Sequence, residues 1–261
     1  MQEFFTLVVA LLPGLGVSIA MAAASIAVGI PLGFLAGLAL NGKRKWLRVL
    51  AIVLVETFRG FPALLTLYLV YFGLASVVTL DRFTSIMVAF GLTTAAYTAE
   101  IFRASIASVP RGQIEAAEAL ALSRSDVTLR IIVPHVLNIA VPPLIGIAII
   151  TFQGTALAYA IGGKELLGSA YSIGMTNLRV LEPLLVAGFL YLVVTSLLAW
   201  MEVIADRRAE RITGSIAHRR PPRKRGRGRG ERVALSTRAV NIAAAAPPVS
   251  SPRFTTAHPT E

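Results

Sequence analysis

The residues of this chain that could carry catalysis, bind a metal or hold a nucleotide are few and poorly placed. There is no cysteine, and the three histidines are too scattered to suggest a metal site. Gly162-Gly163-Lys164 resembles the end of a phosphate-binding loop, but Glu165 stands where that motif needs Ser or Thr and Ala158 where it needs Gly. We therefore expect no catalytic residue, no metal and no cofactor on this chain.

Polar and charged side chains inside long apolar stretches are the other candidates, because such groups are costly in a membrane unless they are paired or used. Two pairs of opposite charge lie one helical turn apart, Glu56 with Arg59 and Glu100 with Arg103. For each pair, simple ion pairing and a place on a path through the membrane are alternatives. The uncharged candidates for such a path are Tyr97, Asn138, Gln153 and Thr155.

The composition and the distribution of charge indicate an integral membrane protein with a basic C-terminal tail. Of the 261 residues, 55% are hydrophobic and 15% are charged. The net charge of +11 lies almost entirely from Arg207 onward, so a nucleic-acid-binding body is excluded. We expect residues 207–261 to be disordered and to be attracted to anionic membrane lipids, with RNA binding by the Arg-Gly stretch as the alternative.

Five apolar segments are long enough to cross a bilayer. They cover about residues 11–40, 49–80, 83–102, 133–152 and 184–204. Basic residues follow the first, third and fifth segments, which predicts a cytosolic C-terminus and an N-terminus outside. The second segment is too long for a simple crossing and contains Pro62, so its first part lies at the interface or the helix breaks inside the membrane. The predicted fold is all-α and integral to the membrane, with a transmembrane domain over residues 1–206.

A four-residue glycine spacing marks the first segment, at Gly29, Gly33 and Gly37. Such a stripe lets another backbone approach closely. Packing within one subunit and a face for a dimer are both compatible with it.

The segment 108–134, between the third and fourth apolar segments, predicts two short helices joined by a turn. Ile114, Ala117 and Ala121 share one face of the first helix, and Ser123 with Asp126 is a start pattern for the second. On composition alone, a solvated loop helix and a docking element are alternatives.

This segment resembles the EAA loop of ABC importer permeases, whose pattern is Glu-Ala-Ala, three residues, Gly, nine residues, Ile-x-Leu-Pro. The matching positions are Glu115, Ala116, Ala117, Ile131 and Pro134. Ala121 replaces the Gly and Val133 replaces the Leu. The resemblance implies that the first helix docks in a groove on an ATPase subunit, and we expect the small Ala121 to keep its packing position there.

Three further stretches, ETFRGFPALLTLYLVYFGL, AAYTAEIFRASIASVPRGQIEAAEAL and TALAYAIGGKELL, resemble the polar amino acid branch (histidine/glutamine type) of these permeases. The resemblance covers about residues 12–206. It departs after the fourth segment, where that branch commonly has Lys-x-Thr-Ser-Leu and this chain has Gln153-Gly154-Thr155-Ala156-Leu157.

The resemblance implies a type I ABC importer permease fold with five transmembrane helices in a bacterial cytoplasmic membrane. It also implies three partners: an ATPase subunit that carries ATP and Mg, a second permease subunit, identical or related, and an external substrate-binding protein. The implied function is import of a polar amino acid or related small zwitterion. A degenerate permease acting as a membrane scaffold or sensor is the alternative, and a channel or ion-driven carrier is a third possibility.

Overall fold

The computed structural model describes residues 2–217, and every regular element in that range is helical. The helices are α1 (Gln2–Asn41), α2 (Lys45–Gly60), α3 (Ala63–Tyr68), α4 (Arg82–Ala107), α5 (Arg111–Ala119), α6 (Arg124–Val127), α7 (Val133–Gly154), α8 (Leu166–Thr176) and α9 (Leu181–Ala217). Within this range four helical runs are long and apolar enough to cross a membrane, and α2 with α3 makes a fifth if the bent pair counts as one span. The predicted all-α membrane fold is confirmed.

The second predicted segment is broken at Phe61 and Pro62. The helix pair on either side, α2 and α3 with its π-helical continuation Leu69–Gly73, is bent by 106°. Pro62 has no N–H to donate and forces the preceding residue into an extended conformation. Phe61 accordingly has φ −82° and ψ 135°, and its N–H bonds the carbonyl of Thr57 to close α2. The structure therefore has a break in this segment at Phe61 and Pro62, and both sequence-based alternatives are compatible with the bend.

Helices α1 and α4 pack closely along the glycine stripe of α1. Gly29 faces Thr94, Gly33 faces Thr98 and Gly37 faces Phe102, and a Cβ at any of these glycines would overlap the opposite side chain. The hydroxyl of Thr98 lies 3.4 Å from the carbonyl of Gly29 and also bonds within its own helix. The glycine stripe therefore serves packing within the subunit and not a dimer face.

The start of α4 is capped by Asp81, whose carboxylate accepts from the N–H groups of Phe83 and Thr84. The Thr84 hydroxyl also donates to it, and this hydrogen bond holds the pKa of Asp81 below its ordinary value. The cap fixes the start of the helix that lines most of the subunit's interior.

Helix α8 has no counterpart among the five predicted segments. Its cap is Glu165, which is fully buried and accepts from the N–H groups of Leu167 (2.6 Å) and Gly168 (2.8 Å). The Tyr191 hydroxyl of α9 donates to the same carboxylate at 3.1 Å, and Ser18 of α1 lies 3.4 Å away. One carboxylate thus joins α1, α8 and α9, and its burial is offset by hydrogen bonds from all three.

Helix α9 continues past the predicted domain boundary. The apolar segment was expected to end near residue 204 and the tail to begin at Arg207, but the helix runs to Ala217. Residues 207–217 of the predicted tail thus continue α9. The remainder of the predicted tail, 218–261, lies outside the described residues.

Candidate coupling and translocation sites

The first part of segment 108–134 is the short helix α5 beneath the membrane-spanning helices. Ile114 and Ala117 turn toward the rest of the subunit, where Ile114 packs against the cluster of Phe102 and Val136 and Ala117 is 4% exposed. Glu115 and Ala116 point away and are exposed. Of the matched Glu-Ala-Ala positions, Ala117 therefore packs α5 against the rest of the subunit, while Glu115 and Ala116 are available to a partner.

The turn after α5 has Ala121 in the left-handed region, with φ 55°. The N–H of Leu122 bonds the carbonyl of Ala117 at 3.1 Å, and the N–H of Ala121 bonds that of Glu118 at 2.9 Å. These two bonds form a Schellman motif, whose left-handed position is usually glycine. Ala121 is therefore exposed beyond the end of α5, so the prediction that it shares a helix face with Ile114 and Ala117 is wrong. Its packing against an ATPase subunit stays a prediction.

An exposed leucine at the end of α5 was not singled out from the sequence. Leu120 is the C-cap residue and is 76% exposed, beside the exposed Glu115, Ala116 and Leu122. Leu120 and Leu122 thus form a small apolar patch at the exposed end of α5, which a partner could cover. In the sequence it was hidden, because residues 119–122 are all apolar and nothing in that run distinguishes an exposed leucine from a buried one.

The second part of the segment merges into a membrane-spanning helix. Ser123 caps α6, as the start pattern predicted: its oxygen accepts from the Asp126 N–H at 3.1 Å, and its hydroxyl donates to the Asp126 carboxylate at 2.6 Å. From there the helical run extends without a break from Ser125 to Ile161. Ile131 and Pro134 lie within this run. The turn at residues 120–122, the coupling turn, is therefore followed by one continuous helical run, Ser125–Ile161, which we call the rod and which is long and apolar enough to cross a membrane.

A small cavity lies where this rod meets α4 and the break between α2 and α3. Its volume is about 230 Å³, and its lining is Phe61, Ala63, Phe90, Thr93, Thr94, Tyr97, Ile147, Ile150, Thr151 and Gly154. The Thr94 and Thr151 hydroxyls are 3.1 Å apart and join α4 to α7. The cavity is mainly apolar, with hydroxyls that can donate and accept hydrogen bonds. Such a surface can bind a small molecule noncovalently, with the hydroxyls as its hydrogen-bond partners.

Arg59 lies beside this cavity and contacts the predicted pathway residue Tyr97. The guanidinium carbon is 5.6 Å from the ring centroid, a cation–π distance, and Tyr97 is 39% exposed. Glu56 is the ion-pair partner of Arg59 at 4.0 Å, the long limit of a salt bridge. Three of the predicted pathway residues are thus together at the broken helix.

The other predicted pathway residues lie elsewhere. Glu100 and Arg103 pair with each other, with 2.8 Å between Nη2 and the carboxylate. Asn138 lines a separate groove of about 390 Å³ between α7 and α9. Thr155 is buried and donates to the Phe152 carbonyl, while Gln153 is exposed one residue before the cavity-lining Gly154. The sequence missed Thr94 and Thr151, since no local pattern pairs two threonines that are 57 positions apart.

Comparison with known proteins adds a family match. The family model described as the binding-protein-dependent transport system inner membrane component matches residues 29–211. The L-cystine transport system permease protein of Bacillus subtilis (strain 168) is 34% identical over 200 residues, covering 76% of this chain and 86% of that protein. The octopine transport system permease protein of Rhizobium radiobacter is 33% identical, covering 73% and 82%.

Solved structures agree with the fold. A crystal structure of an amino acid ABC transporter with histidines aligns with a TM-score of 0.71 at 27% identity, covering 76% of this chain and 94% of that one. An inward-facing MetNI methionine ABC transporter aligns with a TM-score of 0.62 at 19% identity, covering 80% and 99%. At that identity the second match supports the fold alone.

Proposed function

This chain belongs to the family of binding-protein-dependent transport system inner membrane components, and we propose that it forms one half of the pathway of an ATP-driven amino acid importer. The relatives named for cystine and octopine transport support a polar amino acid or related zwitterion as the substrate. The single observation that carries the mechanism is the unbroken helical run Ser125–Ile161, which joins the coupling turn to the wall of the cavity.

Coupling begins at α5. The exposed Glu115, Ala116 and Leu120 dock on a separate ATPase subunit, which binds ATP and Mg, while Ile114 and Ala117 hold α5 to the membrane-spanning helices. Motion of the ATPase subunit is passed through the hydrogen-bonded turn at Ala121 into the rod. Pro142 and Pro143 leave two carbonyls of α7 without an intrahelical N–H partner, but the helix continues through them, so motion at the lower end of the rod is passed on to Thr151.

The cavity at the broken helix is the candidate passage. Ile147, Ile150 and Thr151 belong to the rod, and Tyr97 belongs to α4. Tilting the rod changes the separation between these two walls and so opens or closes the cavity. Ile150 is 63% exposed, which leaves this face available to a second permease subunit, identical or related, that completes the passage.

The orientation follows from charge. Basic residues gather where α1 and α4 end, and the Asn41 amide bonds the Arg103 carbonyl there at 3.3 Å. Ser108 and His135, 3.4 Å apart, bring the start of α7 to the same end. By the positive-inside rule this end faces the cytosol, and α8 with the loop before it faces outward, toward an external substrate-binding protein.

The test is reconstitution of the full chain with its ATPase and substrate-binding protein in vesicles, followed by uptake of labelled amino acids. We expect ATP-dependent uptake, and we expect Glu115→Lys to abolish it along with stimulation of the ATPase. Glu210→Lys is the matched control, because it reverses an exposed charge at the same end of the molecule and away from α5. Its uptake should be unchanged.

Two results would contradict the proposal. Binding of the ATPase subunit without ATP-dependent uptake would favour the scaffold alternative. Uptake that persists without any ATPase subunit would favour a channel or an ion-driven carrier.

A further inference from the structure

A basic cluster lies at the start of α2, away from both the coupling helix and the cavity. Lys43, Arg44, Lys45 and Arg48 are all exposed, and Trp46 among them is 65% exposed. In the part of the chain that the structure describes, no ion pair involves any of these four cations. Four unpaired charges within six residues at the end of a membrane-spanning helix form a strong local attraction for anions.

The same side of α2 leads from this basic cluster into the apolar interior. Arg44, Arg48, Ala51 and Val55 are spaced by four, three and four residues and so share one helix face. Ala51 and Val55 are 6% and 3% exposed and pack against Leu40 of α1. This face is therefore charged at its first end and buried against α1 at the other.

An apolar groove follows next along this face. It has a volume of about 210 Å³ between α1, α2 and α4, and its lining is entirely apolar, including Leu32, Ala36, Val55, Phe58, Ala95 and Ala96. Val55 lies seven residues from Arg48, which is about 10 Å along a helix. An anionic group held by the arginines could therefore be joined to a hydrocarbon chain in the groove.

We propose that the basic cluster and this groove together bind an anionic phospholipid of the cytosolic leaflet. Its phosphate and headgroup pair with Arg44, Lys45 and Arg48, the Trp46 ring lies at the headgroup boundary, and one acyl chain occupies the groove. The occupant is a lipid and not a protein because a cationic end followed by a wholly apolar groove matches the anionic headgroup and the acyl chain of one phospholipid. Since α2 also carries Arg59, the bound lipid holds the helix that contacts Tyr97 beside the cavity.

The chain provides its own reporter for a test. It has two tryptophans, so the full-length Trp200→Phe variant leaves Trp46 as the only one. This variant is placed in phosphatidylcholine vesicles that contain either acyl-brominated phosphatidylglycerol or acyl-brominated phosphatidylcholine, whose bromine quenches tryptophan on contact. We expect phosphatidylglycerol to be favoured at Trp46 by about tenfold at low salt, and the preference to fall as salt is added.

Three variants in this background decide whether the preference belongs to the proposed site. Replacing Arg44, Lys45 and Arg48 by Gln should bring the preference close to one, with the helical circular dichroism unchanged. The matched control replaces Arg207, Arg208 and Arg211 by Gln and should keep the preference. Ala36→Leu fills the groove and should lower the preference about threefold, since an acyl chain can no longer enter.

Equal quenching by the two lipids would overturn the proposal. If quenching is equal and replacing Arg44, Lys45 and Arg48 by Gln also abolishes binding of the ATPase subunit, the basic cluster is a protein contact. An equal loss of preference in both triple variants would also overturn the proposal, because the attraction would then come from total charge. No effect of Ala36→Leu would remove the groove from the site.

Discussion

Replacing Ala121 by Gly should stabilise the coupling turn. A left-handed conformation costs an alanine about 1–2 kcal/mol through contact of its Cβ with the backbone, and φ at Ala121 is 55°. Glycine avoids that cost, but its greater backbone freedom in the unfolded chain makes folding about 0.4–1 kcal/mol less favourable than it is for alanine. The balance is a gain of about 0.5–1 kcal/mol in the free energy of opening the turn.

Hydrogen exchange at the Leu122 amide measures that free energy, because this amide bonds the Ala117 carbonyl across the turn. The expected gain corresponds to exchange slower by about twofold to fivefold. Ala116→Gly is the matched control, since the same chemical change inside α5 should cost about 1 kcal/mol and speed exchange. If Ala121→Gly also speeds exchange, the backbone strain inferred at this turn is absent.

The remaining predictions concern three other positions, all measured by thermal unfolding in detergent. Gly33→Ala should destabilise the protein by about 1–3 kcal/mol, because its Cβ overlaps Thr98, whereas Gly16→Ala meets nothing within 4 Å and should have little effect; equal effects would contradict the close packing. Glu165→Ala should lower the free energy of unfolding by about 2–4 kcal/mol, because it leaves buried N–H groups without an acceptor. Tyr191→Phe should lower it less, because it removes only one of the four donors to the Glu165 carboxylate, and the reverse order would refute a capping role. The pKa of Asp81 is lowered in the folded protein, so its capping contribution is complete above the ordinary carboxyl value of 3.8 and is lost as pH falls through the folded value. Asp81→Asn should therefore flatten the dependence of the unfolding temperature on pH between about pH 5 and 3. An unchanged slope would show that another group is responsible.

The sequence predicted the spanning helices well because long apolar segments leave few alternatives to a helix in a membrane. Pro62 also located the break in the second segment, although only the structure shows the bend of 106°. Helix α8 was missed because its eleven residues are too few for a span and follow a glycine pair that is typical of a loop. Its stability comes from Glu165, whose donors lie on three separate helices.

The candidate sites were less predictable, because their geometry depends on contacts between distant residues. Glu56, Arg59 and Tyr97 were chosen as polar groups in apolar segments, and the fold places them together. Thr94 and Thr151 were not chosen, since hydroxyls are common in membrane helices and only their 3.1 Å approach distinguishes them. For Ala121 the resemblance marked a position where the family has Gly, but a residue type does not reveal a backbone dihedral angle.

The unbroken rod also determines how large a movement the cytosolic partner must make. Thr151 lies 26 residues beyond the start of the rod at Ser125, a distance of about 39 Å along a helix. Pivoting the rod by about 5° at its lower end would shift Thr151 sideways by about 3 Å, comparable to its present hydroxyl contact with Thr94. A rotation of a few degrees below the bilayer is therefore sufficient to separate two side chains deep inside it, without any helix having to unwind.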